Sequence, residues 1–172
     1  MARQTSLREF QQSLAQRLRE AQASNEQSSR LGVQAGESYW LVKLDETDEV
    51  LPLPEISPVP LTRPWYLGLA NIRGVMANVV DFGAFLGNEP TPRTPDCRLV
   101  LVADRFQSFS GLLISRMMGL RNVQNLEARE APDAPGRQPW LGSVYSDPDG
   151  RTWNELNMAG LVANDTFLNV GA

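Results

Sequence analysis

Near the start of the chain, apolar residues recur at spacings of three and four: Leu7, Phe10, Leu14, Leu18 and Ala21, with arginines and glutamines between them. That spacing predicts an amphipathic helix over residues 6–22. Ser6 followed by Glu9 forms a capping box, each side chain satisfying a first-turn amide. The Ser/Asn/Gln-rich stretch Ala23 to Ser29 reads as a linker that ends the helix. The narrow apolar stripe has to be covered, and packing onto its own domain is the expectation. Docking onto a partner is the alternative.

From Leu31 the period changes. Leu31, Val33 and Ala35 alternate, Gly36-Glu37-Ser38 supplies a turn, and Tyr39 to Leu44 returns as a second apolar run. Together they predict a β-hairpin. The segment Leu51 to Pro64 carries five prolines, so it reads as an extended surface crossing that neither a helix nor a central strand can traverse. Trp65-Tyr66-Leu67-Gly68 then leads into a strand Leu69 to Ile72, a turn at Arg73-Gly74 and a buried strand Val75 to Phe82. Gly83 to Leu86 is a helical turn closed by Gly87. After a second Pro-rich loop, Asn88 to Asp96, strands are predicted at Arg98 to Ala103 and Gly111 to Ile114, joined through Arg105 to Ser110. Ala131 to Pro139 is a third Pro-rich loop. The tail holds a last hairpin, Trp140 to Tyr145 and Arg151 to Met158, around Asp147-Pro148-Asp149-Gly150.

Two segments echo one another. Tyr66-Leu67-Gly68 matches Trp140-Leu141-Gly142, and the spacing from Gly74 to Asp81 equals that from Gly150 to Asn157. A strand-turn-strand unit used twice implies two similar β-barrel halves in one compact domain, each too small to bury an adequate core alone.

Composition narrows the function more than the fold. The 172 residues are 42% apolar and 21% charged, ordinary globular material with a net charge of -4. A mildly acidic chain lacks the basic footprint of a nucleic-acid binder, so no nucleic-acid partner is expected. No segment reaches the length of a membrane span or a secretory signal, which reads as a soluble, cytoplasmic protein. The lone Cys97 excludes an internal disulfide and reads as a small buried hydrophobe. There is no histidine. The commonest general base near neutral pH is therefore missing, along with Ser-His-Asp and Cys-His constellations and most zinc chemistry. Lys43, the one lysine, sits between Val42 and Leu44 as a solvated strand position. Asp147 and Asp149 are a carboxylate pair, but Asp-Pro-Asp-Gly is also what a turn requires. Neither catalysis nor a cofactor is expected.

The stretch from Ile56 to Gly87, ISPVPLTRPWYLGLANIRGVMANVVDFGAFLG, resembles CheW-like proteins: a Pro-rich crossing, an aromatic, a glycine, an Asn-x-Arg-Gly turn and an apolar strand ending in Val-Asp. The resemblance extends from about Leu31 to Val162. Pro60-Leu61-Thr62-Arg63-Pro64-Trp65, the N-terminal helix and the ending Trp153-x-Glu155-Leu156-Asn157 look like the PilI-type branch, which serves type IV pilus (twitching) systems. The resemblance implies a mainly β fold of two small SH3-like five-stranded β-barrel subdomains sharing a hydrophobic seam. The N-terminal helix and linker would occupy 1–29 and the CheW-like domain 30–172. It further implies a non-enzymatic adaptor between a methyl-accepting chemoreceptor and the regulatory domain of a CheA-type histidine kinase. That adaptor would lie in cytoplasmic, polar arrays that touch the membrane only through the receptor, with further CheW-like proteins as ring partners.

Residues carry over where the pattern matches. Arg73, in Asn71-Ile72-Arg73-Gly74, falls on the family's receptor-facing arginine, and Glu49 on an acidic position thought to pair with it. Met76 falls on an apolar contact position suited to the kinase side. Gly68 and Gly74 belong to the same motif, as interface or as backbone geometry alone. Two departures concern the second half: Asn154 and Glu155 make its last strand more polar than usual, and Ser115 replaces a common Asp. A second reading remains, a small-barrel module docking a pilus or polar-localisation partner through the helix and Trp65, Tyr66 and Trp140.

Overall fold

The computed structural model describes residues 7–130 and 136–172. Helix α1 runs Leu7–Ser28 and is followed by strands β1 (Ser29–Ala35), β2 (Ser38–Lys43) and β3 (Thr47–Pro52). After the Pro-rich crossing come β4 (Tyr66–Ile72), β5 (Val75–Asp81) and the short helix α2 (Phe82–Phe85). Strands β6 (Arg98–Val102), β7 (Ser110–Ile114), β8 (Arg116–Asn122) and β9 (Glu127–Arg129) precede the last hairpin, β10 (Leu141–Ser146) and β11 (Thr152–Leu156). Two short helices, α3 (Met158–Val162) and α4 (Asp165–Leu168), complete the chain.

The strands form two sheets, ordered β8-β1-β2-β11-β10-β9 and β3-β6-β7-β5-β4. Without β9 the two are the same: antiparallel neighbours except for one parallel pair, β2 with β11 in the first and β7 with β5 in the second. The arrangement is compatible with two barrels, although the first sheet has six strands and not the expected five. Its extra strand, β9, and β8 lie in a stretch for which the sequence pattern gave no strand. There Gly119, Arg116 and Arg121 interrupt any clean alternation, and β8 bulges against β1 between Gly32 and Val33.

The repeat seen in sequence is real in space, with one correction. Asp81 N-H donates to the Trp65 carbonyl at 2.8 Å, and Asn157 N-H donates to the Trp140 carbonyl at 2.8 Å. Trp65, not Tyr66, is therefore the counterpart of Trp140. Each hairpin ends in a side-chain cap: Asp81 Oδ1 accepts from Ala84 N-H and Asn157 Oδ1 from Gly160 N-H, both at 3.1 Å. Between the sheets lies a shared apolar seam that includes Val33, Trp40, Phe82, Val100, Leu112, Leu156 and Met158, all buried. Burial of one such side chain stabilises by about 1.5–3 kcal/mol. A smaller cluster, Ala70, Val79 and Leu99, fills the other face of the second sheet.

Helix α1 departs from expectation twice. It continues through Ala23 to Ser28, because no proline or glycine interrupts that stretch; the Ser28 and Ser29 hydroxyls then close it on the Asn25 carbonyl. Over its described side chains the stripe does not pack on the body: every side chain from Gln12 to Asn25 is exposed, Leu14 and Leu18 included. The helix is tied down near its end, where Asn122 donates to Asn25 and, just beyond the helix, Arg30 clamps Glu155 at 2.7 Å. The capping residue Ser6 and most of the Ala131–Pro139 loop lie outside the described residues.

The Pro-rich crossing is laced onto the edge strand β4, with Ser57 and Leu69 exchanging backbone hydrogen bonds of 2.7 and 2.9 Å. This covers an otherwise open sheet edge. Only glycine fits opposite: Gly68 has φ 129 and a β-carbon there would stand 2.1 Å from the Ser57 carbonyl oxygen. Two buried carboxyls behave oppositely. Burial pushes Glu46 above the ordinary carboxylate range, with Lys43 and Arg105 pulling the other way from 3.8 and 3.9 Å. Asp147 is held below it, chiefly by the hydrogen bond from the Trp153 indole at 3.0 Å and also by Arg151 N-H.

Each of these three positions can be tested by one substitution. Gly68→Ala should cost about 2 kcal/mol or more in chemical denaturation, since the backbone pair at Ser57 has to break or shift. A raised carboxyl costs stability when ionised, a cost absent below its unfolded-state pKa and growing as pH rises through the folded value. Glu46→Gln should therefore raise the melting temperature at neutral pH and leave it unchanged in acid. A lowered carboxyl contributes stability that is present above its unfolded-state pKa and lost as pH falls through the folded value. Asp147→Asn should therefore lower the melting temperature at neutral pH, with the deficit shrinking in strong acid.

Candidate interaction site at the hairpin tip

Strands β4 and β5 pair down to Ile72 and Val75, leaving Arg73 and Gly74 as a two-residue turn. Both take left-handed backbone, φ 52 and 88, the conformation that matches the twist of the flanking strands. Glycine adopts it freely; an arginine there costs about 1–2 kcal/mol. Asn71 meets part of that cost, since its Oδ1 accepts from Gly74 N-H at 2.7 Å. Asn71 and Gly74 thus act on the shape of the turn.

The turn sends Arg73 across to β3, where its guanidinium donates to Glu49 Oε1 at 2.7 Å. The pairing that the resemblance implies is present. The arginine side chain is 77% exposed, so the ion pair itself contributes only about 0–1 kcal/mol to stability. Its geometry matters more, because an exposed guanidinium held at one oxygen keeps further donors free for another acceptor.

Beside the pair lies an open groove of about 240 Å³, floored by Ile72, Val75, Ala77 and Leu101 and rimmed by Asp48, Glu49, Asp104 and Phe109. Met76 is half-exposed on the same hairpin, but strand alternation turns it to the opposite face from Val75 and Ala77. The structure thus brings Arg73, Glu49, Asn71 and Gly74 together, sets Met76 behind them, and separates Gly68, which is buried against Ser57 as a packing position. Sequence reasoning missed Val75, Asp104 and Phe109. Nothing in Gln107-Ser108-Phe109 signals that the loop joining β6 and β7 turns an aromatic outward.

Other candidates resolve differently. Asp147 spends its carboxylate on Trp153, Arg151 and Asp149, as a turn residue. Trp65, Tyr66 and Trp140 are each 8% exposed, so they are core and not the docking surface considered above. Trp65 and Trp140 both lean on Phe85, at 5.2 and 5.0 Å between ring centroids. Among the described residues no group of His, Cys, Asp and Glu is arranged to hold a metal.

The sequence pattern that defines the CheW-like domain matches residues 30–166. The chain belongs to the CheW-like family. Its CheW-like relatives include Protein PilI of Pseudomonas aeruginosa, 27% identical over 144 residues that cover 83% of this chain and 79% of the relative. Chemotaxis protein CheW of Rhizobium meliloti is 26% identical over 106 residues, 60% of this chain and 66% of that one. The crystal structure of the scaffolding protein TtCheW from Thermoanaerobacter tengcongensis superposes with a TM-score of 0.61 at 14% identity, covering 76% of this chain and 88% of that one. CheW-like proteins are non-catalytic scaffold and coupling proteins of chemotaxis, and this chain shares their fold.

Because the arginine occupies a left-handed position, Arg73→Gly should relieve about as much strain as the lost ion pair contributed. Its unfolding midpoint should stay within about 1 kcal/mol of the parent by denaturant titration.

Proposed function

We propose that this CheW-like chain couples a methyl-accepting chemoreceptor to the regulatory domain of a CheA-type histidine kinase, in a chemosensory array that serves type IV pilus motility. The observation that carries the reading is the Arg73-Glu49 pair, held at 2.7 Å on an exposed hairpin tip beside an apolar groove. An adaptor needs a surface that presents directional donors without chemistry, and a preorganised guanidinium does that. The pilus assignment rests on the similarity to Protein PilI across 83% of the chain. In this reading residues 30–172 form the interaction domain, Arg73 with Glu49 faces the receptor, and Met76 on the opposite face meets the kinase. The adaptor would sit in the cytoplasm at polar arrays and reach the membrane only through the receptor, beside CheW-like ring partners.

A second reading concerns α1. Leu14 and Leu18 are 49% and 57% exposed, which favours an added role for residues 1–29 in docking a pilus or polar-localisation partner. Deleting residues 1–28 would then abolish polar localisation while receptor and kinase binding persist.

The coupling role is tested by charge reversal. Arg73→Glu and Glu49→Arg should each reduce receptor co-sedimentation and kinase control, and the double variant should recover part of both. Unchanged kinase control in Arg73→Ala, with the protein folded, would remove the assigned role.

A further inference from the structure

Phe109 combines three properties that do not usually occur together. It is 54% exposed, it takes left-handed backbone at φ 45, and it stands on the rim of the groove next to Arg73. A phenylalanine left half-exposed gains only part of the free energy its burial could give, and left-handed backbone costs a bulky residue about 1–2 kcal/mol. The surrounding structure holds it there. Asn78 N-H donates to the Phe109 carbonyl at 2.8 Å, the Asn78 side chain is anchored in turn by the Tyr66 hydroxyl at 2.7 Å, and the Ser108 and Ser110 hydroxyls hydrogen-bond across the same loop. Strain fixed this firmly at a surface concavity is a mark of a binding element.

The groove also has a charge preference. Glu49 is paired with Arg73, but the carboxylates of Asp48 and Asp104 on the same rim have no cation within ion-pair distance among the described residues. The floor between them is aliphatic: Ile72, Val75 and Leu101.

We infer that this groove takes a protein segment in which an apolar side chain stands beside a lysine or arginine, with Phe109 as its aromatic anchor and Asp48 and Asp104 as its counter-charges. This rests on the reading of the Arg73 groove as the receptor-facing surface, and it names the chemistry of the receptor segment that fits. The apolar side chain fills the floor against the Phe109 ring, where desolvated aromatics concentrate binding energy. The cation meets the rim carboxylates, which adds specificity and a salt-dependent association rate.

The probe is the purified cytoplasmic signalling fragment of the organism's own methyl-accepting receptor, titrated by calorimetry at low and high salt against the full chain. Phe109→Gly should weaken binding about tenfold or more, while its melting temperature stays level or rises because glycine tolerates the backbone. The Asp48→Asn, Asp104→Asn double variant should bind more weakly at low salt and lose most of the salt dependence. If Arg73→Ala weakens binding but Phe109→Gly and the double variant bind like the parent, the receptor-facing reading stands and this inference falls. If none of the three weakens binding, both fall. A Phe109→Gly variant that loses binding only with a lowered melting temperature would assign Phe109 to the fold and overturn its role as an anchor.

Discussion

The apolar seam between the two sheets is the constraint on which the rest of the molecule depends. The first sheet is not built from one continuous piece of chain: β1 and β2 from the start of the domain have to receive β11 from near its end, with Tyr39 in register with Trp153. Trp153 is fully buried there, its indole bound to Asp147 and its ring against Tyr39 and Arg121. The first half, β3 to β7, is in effect inserted into the second. Folding one half without the other would expose the face that carries Val33, Trp40, Val100 and Leu112. The hairpin that bears Arg73 inherits its rigidity from this arrangement, since β5 is held between β4 and β7 and its inner face lies on the seam.

Much of that fold was legible because strand periodicity and turn chemistry agree. Leu31 to Ala35, the Gly36-Glu37-Ser38 turn, Val75 to Phe82 and the Asp147-Gly150 turn all combine a period of two with residues that tolerate turn backbone, and each stands within a residue or two of its expected bounds. What was not legible depends on contacts far away in sequence. Strand β3 hides in Thr47-Asp48-Glu49-Val50-Leu51-Pro52, whose polar start reads as loop until β6 is there to pair with it. Helix α1 ran past its expected end because Ser and Asn lower helix propensity without breaking the ladder. The one-residue offset of the internal repeat is fixed by the carbonyls that Asp81 and Asn157 bond, those of Trp65 and Trp140, a long-range pairing that no local pattern announces.

The site divides along the same line. Arg73 and Glu49 were recognisable because a motif spanning many residues marks the turn, and the structure supplies the 2.7 Å contact between them. Gly68 belongs to that motif for a different reason: a carbonyl approaches where a β-carbon would stand. One motif therefore encodes both an exposed donor and the packing that keeps its strand in register. Phe109 was invisible, because a left-handed aromatic in a connecting loop is imposed by Asn78 on the neighbouring strand and not by its own sequence neighbours.

The two halves share a topology but not a distribution of strain. Among the described residues, the non-glycine positions with left-handed backbone are Leu61, Arg73, Gln107 and Phe109, all in the half that contains the groove. The matching hairpin of the second half turns at Asp147 to Gly150, where the carboxylate of Asp147 caps the turn and the left-handed position is a glycine. That half has no non-glycine residue on left-handed backbone among the described residues, and its tryptophans, Trp40, Trp140 and Trp153, are buried. Left-handed backbone at bulky side chains persists only where surrounding contacts over-determine it. Here those contacts are Asn71 at one turn and Asn78 at the other, each bonding the backbone of the loop it holds. The repeated strand-turn-strand unit thus appears in two halves that share one seam and differ at their turns: one places Arg73 and Phe109 outward on left-handed backbone, and the other closes its hairpin on a glycine beneath the Asp147 cap.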